Sequence, residues 1–474
     1  MALEWIGMVF LAVAMVFLWS RPERLLGLQI VATVFGGSAA ISLPALGGTT
    51  VAPALLCLAI LSVCILKFGH LNNLFESMAP GKAGFWLLLL TLWGILSASV
   101  LPRLFSGDVS VVSMNRAAFG AGDGVPIDLL SPGSGNITQP LYVVGELAVF
   151  SVALIFLQLE DGLRLAARAV IWVAGLNVLA ACIDLFGFYS GLGNLLEPLQ
   201  TASFAFMPEA AFAGIKRING TFPEASAFAG FTLPVLAFCY VLYREGLWRR
   251  TTGPLALASL VVLLLSTSSA GYGGIALYAA CAVAVSLASG LRQGGKTHVG
   301  HYMALGAWGA LAITILLLAL PSLREQAWTI IESTLLYKGE SSSAMERGEW
   351  NLVSWNAFLD TWGLGVGLGS ARASSLPMVL VSNLGLPGTL LFLAFIWQVL
   401  LGRLPAGIDP QHRAITKAAR HGVGAALIVA VLVASVFDLG VLFYVFCAIA
   451  CTPAMLYRPV REPAANTRLA GVAA

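Results

Sequence analysis

Apolar runs of about 20 residues, separated by short polar or charged stretches, recur along the chain from residue 5 to residue 457. A run such as FWLLLLTLWGILSASV, 85–100, lacks the period-two alternation of a membrane barrel and therefore predicts a helix. The runs place spans at 5–20, 25–45, 50–66, 83–101, 139–159, 165–189, 226–243, 253–269, 272–291, 302–320, 377–402, 421–437 and 440–457. The expectation is an all-α polytopic integral membrane protein of about 12–13 transmembrane helices. LSTSSAGYGG, 265–274, reads as a tight turn between two spans, and Asp438 and Gly440 of FDLGV, 437–441, split a long apolar run. Either junction also fits a break inside one long element.

Composition strengthens this reading: 58% of residues are hydrophobic, mean hydropathy is +0.88, and Lys and Arg number 26 against 23 Asp and Glu. Residues 1–457 form one transmembrane helical domain, and the basic, small-residue-rich 458–474 reads as a short disordered cytoplasmic tail. Most Lys and Arg fall on the inner side if the N-terminus faces out, so the net charge of +3 is a topology signal rather than a nucleic-acid footprint. No Lys or Arg precedes the first apolar run, unlike a cleavable signal peptide. Outward segments are then 102–138, 190–225 and 321–376, the last a large periplasmic-type loop late in the chain.

The seven cysteines lie within apolar runs, which predicts packing roles rather than disulfides or a thiolate metal site. His70, His298, His301, His412 and His421 all fall in inward segments, and HVGH at 298–301 lacks a third ligand, so no metal is expected. Acid/base chemistry on the outer face would fall to carboxylates. Glu146, Asp184 and Asp438 interrupt apolar runs in the outward half of their helices, where they either line a cavity or pair structurally.

SSSAMERGEWNLVSWNAFLDTW, 341–362, has the Ser-x-x-Glu spacing of a capping box at Ser343 and Glu346, which predicts a helix from about Ala344. Arg347, Trp350, Asn351, Ser354 and Phe358 then share one face. That face suits an amphipathic helix on the membrane surface, or a platform on which Trp350 and Asn351 hold a sugar. In GLGVGLGSARASS, 363–375, alternating glycines read as a flexible loop whose N–H groups, with Arg372, Ser374 and Ser375, cradle an anion. The alternative is that the glycines simply let the chain turn. Arg217, Arg347 and Arg372 on separate outward segments, with Lys216 beside the first, suit phosphate oxygens. Glu224 is a general base, a cap for the span beginning near Ser226, or an ion-pair partner of Lys216 or Arg217.

RINGTFPEASAFAGF (217–231), ERGEWNLVSWNAF (346–358), GLGVGLGSARASS (363–375) and SNLGLPGTLLFL (382–393), in this order, resemble the O-antigen ligase and bacterial surface polysaccharide polymerase family. The resemblance implies a metal-independent, cofactor-free glycosyltransferase at the periplasmic face of the bacterial inner membrane. Its substrate would be an oligosaccharide carried on undecaprenyl pyrophosphate. It implies that Arg217 and Arg347, with Arg372, hold the pyrophosphate; catalysis would also need a base for the acceptor hydroxyl, for which Glu224 is the candidate. Membrane lipid, a chain-length regulator and a repeat-unit flippase are the implied partners. The chain departs from the ligases in having no histidine in the late outward loop, and it reads STSSAGYGG where many members carry an arginine. Both departures favour a polymerase over a ligase. A transporter or flippase, with Glu146, Asp184 and Asp438 as proton-coupling groups, is the rival from another class. A scaffold subunit without chemistry is the third.

Overall fold

The computed structural model describes residues 2–43, 49–68, 71–114, 125–203, 211–212, 215–293 and 342–457. The expected span at 302–320, the first part of the late outward loop, 321–341, and the tail 458–474 lie outside the described residues.

The described chain is a helical bundle. In order it comprises α1 (Trp5–Ser20), α2 (Leu25–Ala32), α3 (Pro53–Phe68), α4 (Leu71–Ser77), α5 (Ala83–Leu104), α6 (Gly135–Leu157), α7 (Gly162–Ser190) and α8 (Ala225–Arg244). There follow α9 (Arg249–Leu265), α10 (Ser269–Gln293), α11 (Ser342–Asp360), α12 (Leu376–Val379), α13 (Gly385–Leu401), α14 (Pro410–Val433), α15 (Val441–Cys451) and α16 (Pro453–Leu456). Among the described residues, seven helical segments are long and apolar enough to cross a membrane, and three shorter apolar helices accompany them. A multi-pass membrane protein follows from their length and composition.

Helix α14 packs along α8, α10 and α15, while α6 joins α5 to α15. The core between them is aromatic, with Phe150, Phe238, Phe395, Tyr444 and Phe446 fully enclosed. Phe238 stacks on Phe446 at 5.3 Å, and Phe150 meets Phe395 edge-on at 5.5 Å. Buried Asn177 donates to Thr232 across α7 and α8 at 2.9 Å, which satisfies two polar groups that lipid could not.

Both doubtful junctions are breaks between helices: α9 ends at Leu265 before α10 begins at Ser269, and Gly440, at φ 78°, starts α15. Two span boundaries differ from expectation. The predicted 25–45 span stops at Ala32, because the chain turns at Gly36 and Gly37 and then forms β2 (Ile41–Leu43), paired with β1 (Ala2–Leu3) and β3 (Thr49–Val51). Helix α14 starts at Pro410, eleven residues before the apolar run, since its first turns carry Arg413, Lys417 and Arg420 and are invisible to hydropathy.

Asp409 caps α14, its Oδ1 accepting the Gln411 and His412 backbone N–H groups at 2.7 and 3.1 Å. These bonds hold its carboxyl below the usual range. The cap therefore contributes fully above the ordinary carboxylate pKa and is lost as pH falls through the lowered value. Asp409→Ala should lower unfolding free energy by about 1 kcal/mol at neutral pH, with the difference from wild type vanishing in acid. Thermal unfolding of the detergent-solubilised protein as a function of pH checks this.

Candidate functional site

The RINGTF segment follows β5 (Ile215–Lys216), which pairs with β4 (Ala211–Phe212), and leads into α8. It is pinned from three sides. Lys216 is 1% exposed and its Nζ lies 3.4 Å from Asp184 Oδ1 of α7, above the Phe188 ring. Asp184 Oδ2 accepts the backbone N–H groups of Asn219 and Gly220 at 2.8 and 3.0 Å. Ile218 is fully buried with Ala181, Phe228 and Val262. On the third side Thr221 donates its hydroxyl to the Val34 carbonyl and accepts the Gly37 N–H at 2.8 Å, while a Cβ on Gly36 would strike the Phe222 ring. The turn that cuts the second span short is thus the seat of this motif.

Of the two readings of Asp184, lining a cavity or pairing, the geometry gives pairing. Lys216 is enclosed and committed to Asp184, which removes it from the substrate-binding set and from any ion pair with Glu224. Arg217, the next residue, is half-buried. Among the described residues its Nε is buried without a hydrogen-bond partner and it forms no ion pair, and it lies within electrostatic reach of Tyr272 on α10. Glu224 occupies the N-cap position of α8 but makes no side-chain cap to the backbone; its carboxylate accepts the Ser226 hydroxyl and remains exposed. Cap and salt bridge are therefore not its roles, and an exposed carboxylate is left seven positions from Arg217.

The glycine-rich stretch follows the second of its two expected readings, glycines that let the chain turn. Gly363, Gly365, Gly367 and Gly369 all adopt positive φ, between 79° and 95°. Residues 365–371 are buried rather than exposed. A Cβ on Gly367 would sit 2.7 Å from the Ser97 carbonyl oxygen and 2.8 Å from Pro102, so the alternation supplies close backbone approach. Its N–H groups are spent internally. Val366 N–H donates to the Ser382 carbonyl at 2.7 Å, Gly365 N–H to Thr361 Oγ1 at 3.0 Å, and Gly369 N–H to Asn383 Oδ1 at 3.2 Å. Hence this stretch is a packed structural turn and not an anion cradle. Asn383, 2% exposed, also accepts from Ala371 N–H and donates to the Ala371 carbonyl. Sequence reasoning missed it, although it sits in the quoted SNLGLPG stretch beside the π turn 380–384 that breaks the α12–α13 span. Asn136 of α6 adds two bonds to the same loop, to the Leu368 carbonyl and the Ser370 hydroxyl.

Helix α11 already contains Ser342, so Ser343 lies inside its first turn and the capping box is not the start signal. Its inner face is Trp350, Asn351, Ser354 and Phe358, as the spacing predicts, but that face meets protein rather than headgroups. Asn351 Oδ1 accepts the Ser374 N–H at 2.9 Å, and Ser354 donates to the Arg372 carbonyl at 3.2 Å. The apolar exposed side is the opposite one, with Met345, Leu352, Trp355 and Leu359. Ser374 is 7% exposed and Ser375 half-buried, so Ser374 serves to fix the loop. Arg347, one turn before Asn351, is exposed, and Arg372 is half-buried.

These segments adjoin. Ala373 N–H donates to the Ser435 carbonyl at 3.3 Å, just past the end of α14, and α14 packs along α10, the helix that carries Tyr272. Arg217 lies within electrostatic reach of Tyr272 on α10, α10 packs along α14, and the segment after α14 bonds the Arg372 loop that α11 receives, so the supports of the three arginines are joined through helix packing. No family model matches the chain, and no curated protein matches it.

Breaking a buried pair by removing one partner strands the other charge. Lys216→Met should therefore cost about 3–5 kcal/mol, whereas Glu224→Gln, at an exposed position, should change stability by less than about 0.5 kcal/mol. Thermal unfolding in detergent separates the two.

Proposed function

We propose that the chain is a membrane glycosyltransferase that joins glycan repeats carried on undecaprenyl pyrophosphate, a polysaccharide polymerase working at the periplasmic face of a bacterial inner membrane. The observation that carries this reading is Arg217, a guanidinium with a buried, unpartnered Nε on a segment pinned from three sides, with an exposed carboxylate at Glu224. A guanidinium held this way is pre-organised for an anionic ligand, and pyrophosphate oxygens fit its fork. Arg372 and the exposed Arg347 stand on the adjoining segments.

The reaction moves a glycosyl group. An acceptor hydroxyl oxygen attacks the anomeric carbon, the bond from that carbon to the pyrophosphate oxygen breaks, and the hydroxyl proton passes to the Glu224 carboxylate. Undecaprenyl pyrophosphate leaves with an added negative charge, which Arg217, Arg347 and Arg372 offset. The chemistry needs no metal, because guanidinium groups supply the positive charge. A ligase would run the same step with a different acceptor; the lack of a histidine in the late outward segment favours the polymerase. The second reading is a transporter of lipid-linked or anionic substrates, favoured by Glu146 and Asp438 lining one cavity.

In cells deleted for the gene and complemented with variants, Arg217→Ala and Arg347→Ala should leave single repeats where wild type makes long chains, at equal membrane abundance. Loss of one transition-state charge contact should lower turnover about 10²–10³-fold. Surface polysaccharide length on gels reads this directly. Chains of normal length, with lipid-linked repeats accumulating on the inner face of the deletion strain, would support the transporter instead.

A further inference from the structure

A cavity of about 550 Å³ lies between the end of α2, the start of α3, the first half of α6, the first turns of α8 and the start of α15. Pro223, next to Glu224, is part of its wall. The lining is largely apolar and aromatic, with Phe35, Tyr142, Phe222, Phe231, Phe443 and Phe446. Two carboxylates interrupt it, Glu146 from α6 and Asp438 from the α14–α15 connection, and none of the lining residues is Lys, Arg or His.

Glu146 is 6% exposed. Its Oε2 accepts the Tyr444 hydroxyl at 2.8 Å, and the Leu439 backbone approaches the same carboxylate, while Oε1 is buried with no hydrogen-bond partner. Asp438 Oδ1 accepts the Gly440 N–H at 2.9 Å. Neither acid has an ion pair among the described residues. Two carboxylates on one largely apolar wall repel each other, and the buried Glu146 also loses hydration; a cation between them relieves both costs.

We propose that this cavity is a binding site for an organic ammonium, the cationic nitrogen held between Glu146 and Asp438 and its carbon substituents against the aromatic wall. Ring faces attract ammonium groups, most strongly where water is excluded. A hard metal ion would seek about six oxygen ligands, which two carboxylates among phenyl rings do not supply. The ammonium comes either from the headgroup of an aminophospholipid or from a free amine; both present the same chemistry. The inference stands apart from the glycosyltransferase reading, since it uses none of the arginines.

The test uses the full-length protein in nanodiscs of phosphatidylglycerol, titrated with benzyltrimethylammonium chloride against sodium chloride of equal ionic strength, with thermal unfolding as readout. Saturable stabilisation is expected, with apparent affinity about tenfold weaker in Glu146→Gln and in Asp438→Asn separately, and unchanged in Arg217→Ala. The Asp438→Asn variant alters an exposed side chain, so it reports on the site even if Glu146→Gln unfolds. Repeating the titration in nanodiscs containing phosphatidylethanolamine assigns the source. A weakened apparent affinity there identifies the lipid headgroup, and an unchanged one a free amine. No saturable stabilisation of wild type, or equal stabilisation of wild type and Glu146→Gln/Asp438→Asn, overturns the proposal. So does stabilisation by acid alone, which would mean that the carboxylates hold protons instead.

Discussion

The buried ion pair between Lys216 and Asp184 is the constraint on which the placement of the RINGTF segment depends. Placing two charges where they are 1% and 7% exposed is costly, and the geometry repays it by using Asp184 three times, once for Lys216 and twice for the Asn219 and Gly220 backbone N–H groups. The segment so fixed then docks through Thr221 onto the Val34–Gly37 turn. Arg217 lies between these two anchors and Glu224 just beyond the second. The pair thus contributes position rather than chemistry, and it leaves the neighbouring guanidinium available.

A second rigid element is the glycine turn later in the chain. Four glycines at positive φ let the 363–369 backbone press against Ser97, Pro102 and Gly135, and Asn383 closes the loop by bonding residues 369 and 371. Such close approach excludes water, so every N–H in the turn must find a protein partner, and those traced here do. The loop's role is to deliver Arg372 and Ser374 to α11, where Asn351 and Ser354 receive them. The arginines therefore stand on supports that differ in kind: an ion-paired strand end, a glycine turn and a helix.

Much of this was legible along the chain. The long spans from 83 to 244 follow from apolar runs, and the two breaks at 265–274 and 437–441 follow from polar and glycine punctuation. The 25–45 run misled because its end is set by a partner almost two hundred residues away, Thr221, which no local pattern reveals. The start of α14 was hidden for the opposite reason: its first turns are amphipathic, and hydropathy registers only the apolar remainder. At the site, the clustering of charge in RINGTFPE marked the right segment, yet it could not tell Lys216, which is spent on Asp184, from Arg217, which is not. Alternating glycines fit a flexible anion cradle and a packed turn equally well in sequence, which shows the permission for positive φ but not the backbone that occupies the vacated space.

The central claim is that outward arginines carry the charge of a leaving pyrophosphate during glycosyl transfer. The most direct test is release of undecaprenyl pyrophosphate by the purified protein from a lipid-linked oligosaccharide, in a chelator, with wild type and Arg217→Ala compared at matched folding. Release together with a lengthened glycan from wild type, and neither from Arg217→Ala, is the predicted result. An intact lipid-linked substrate after incubation with well-folded wild type, with movement across a bilayer as its only fate, would contradict the account.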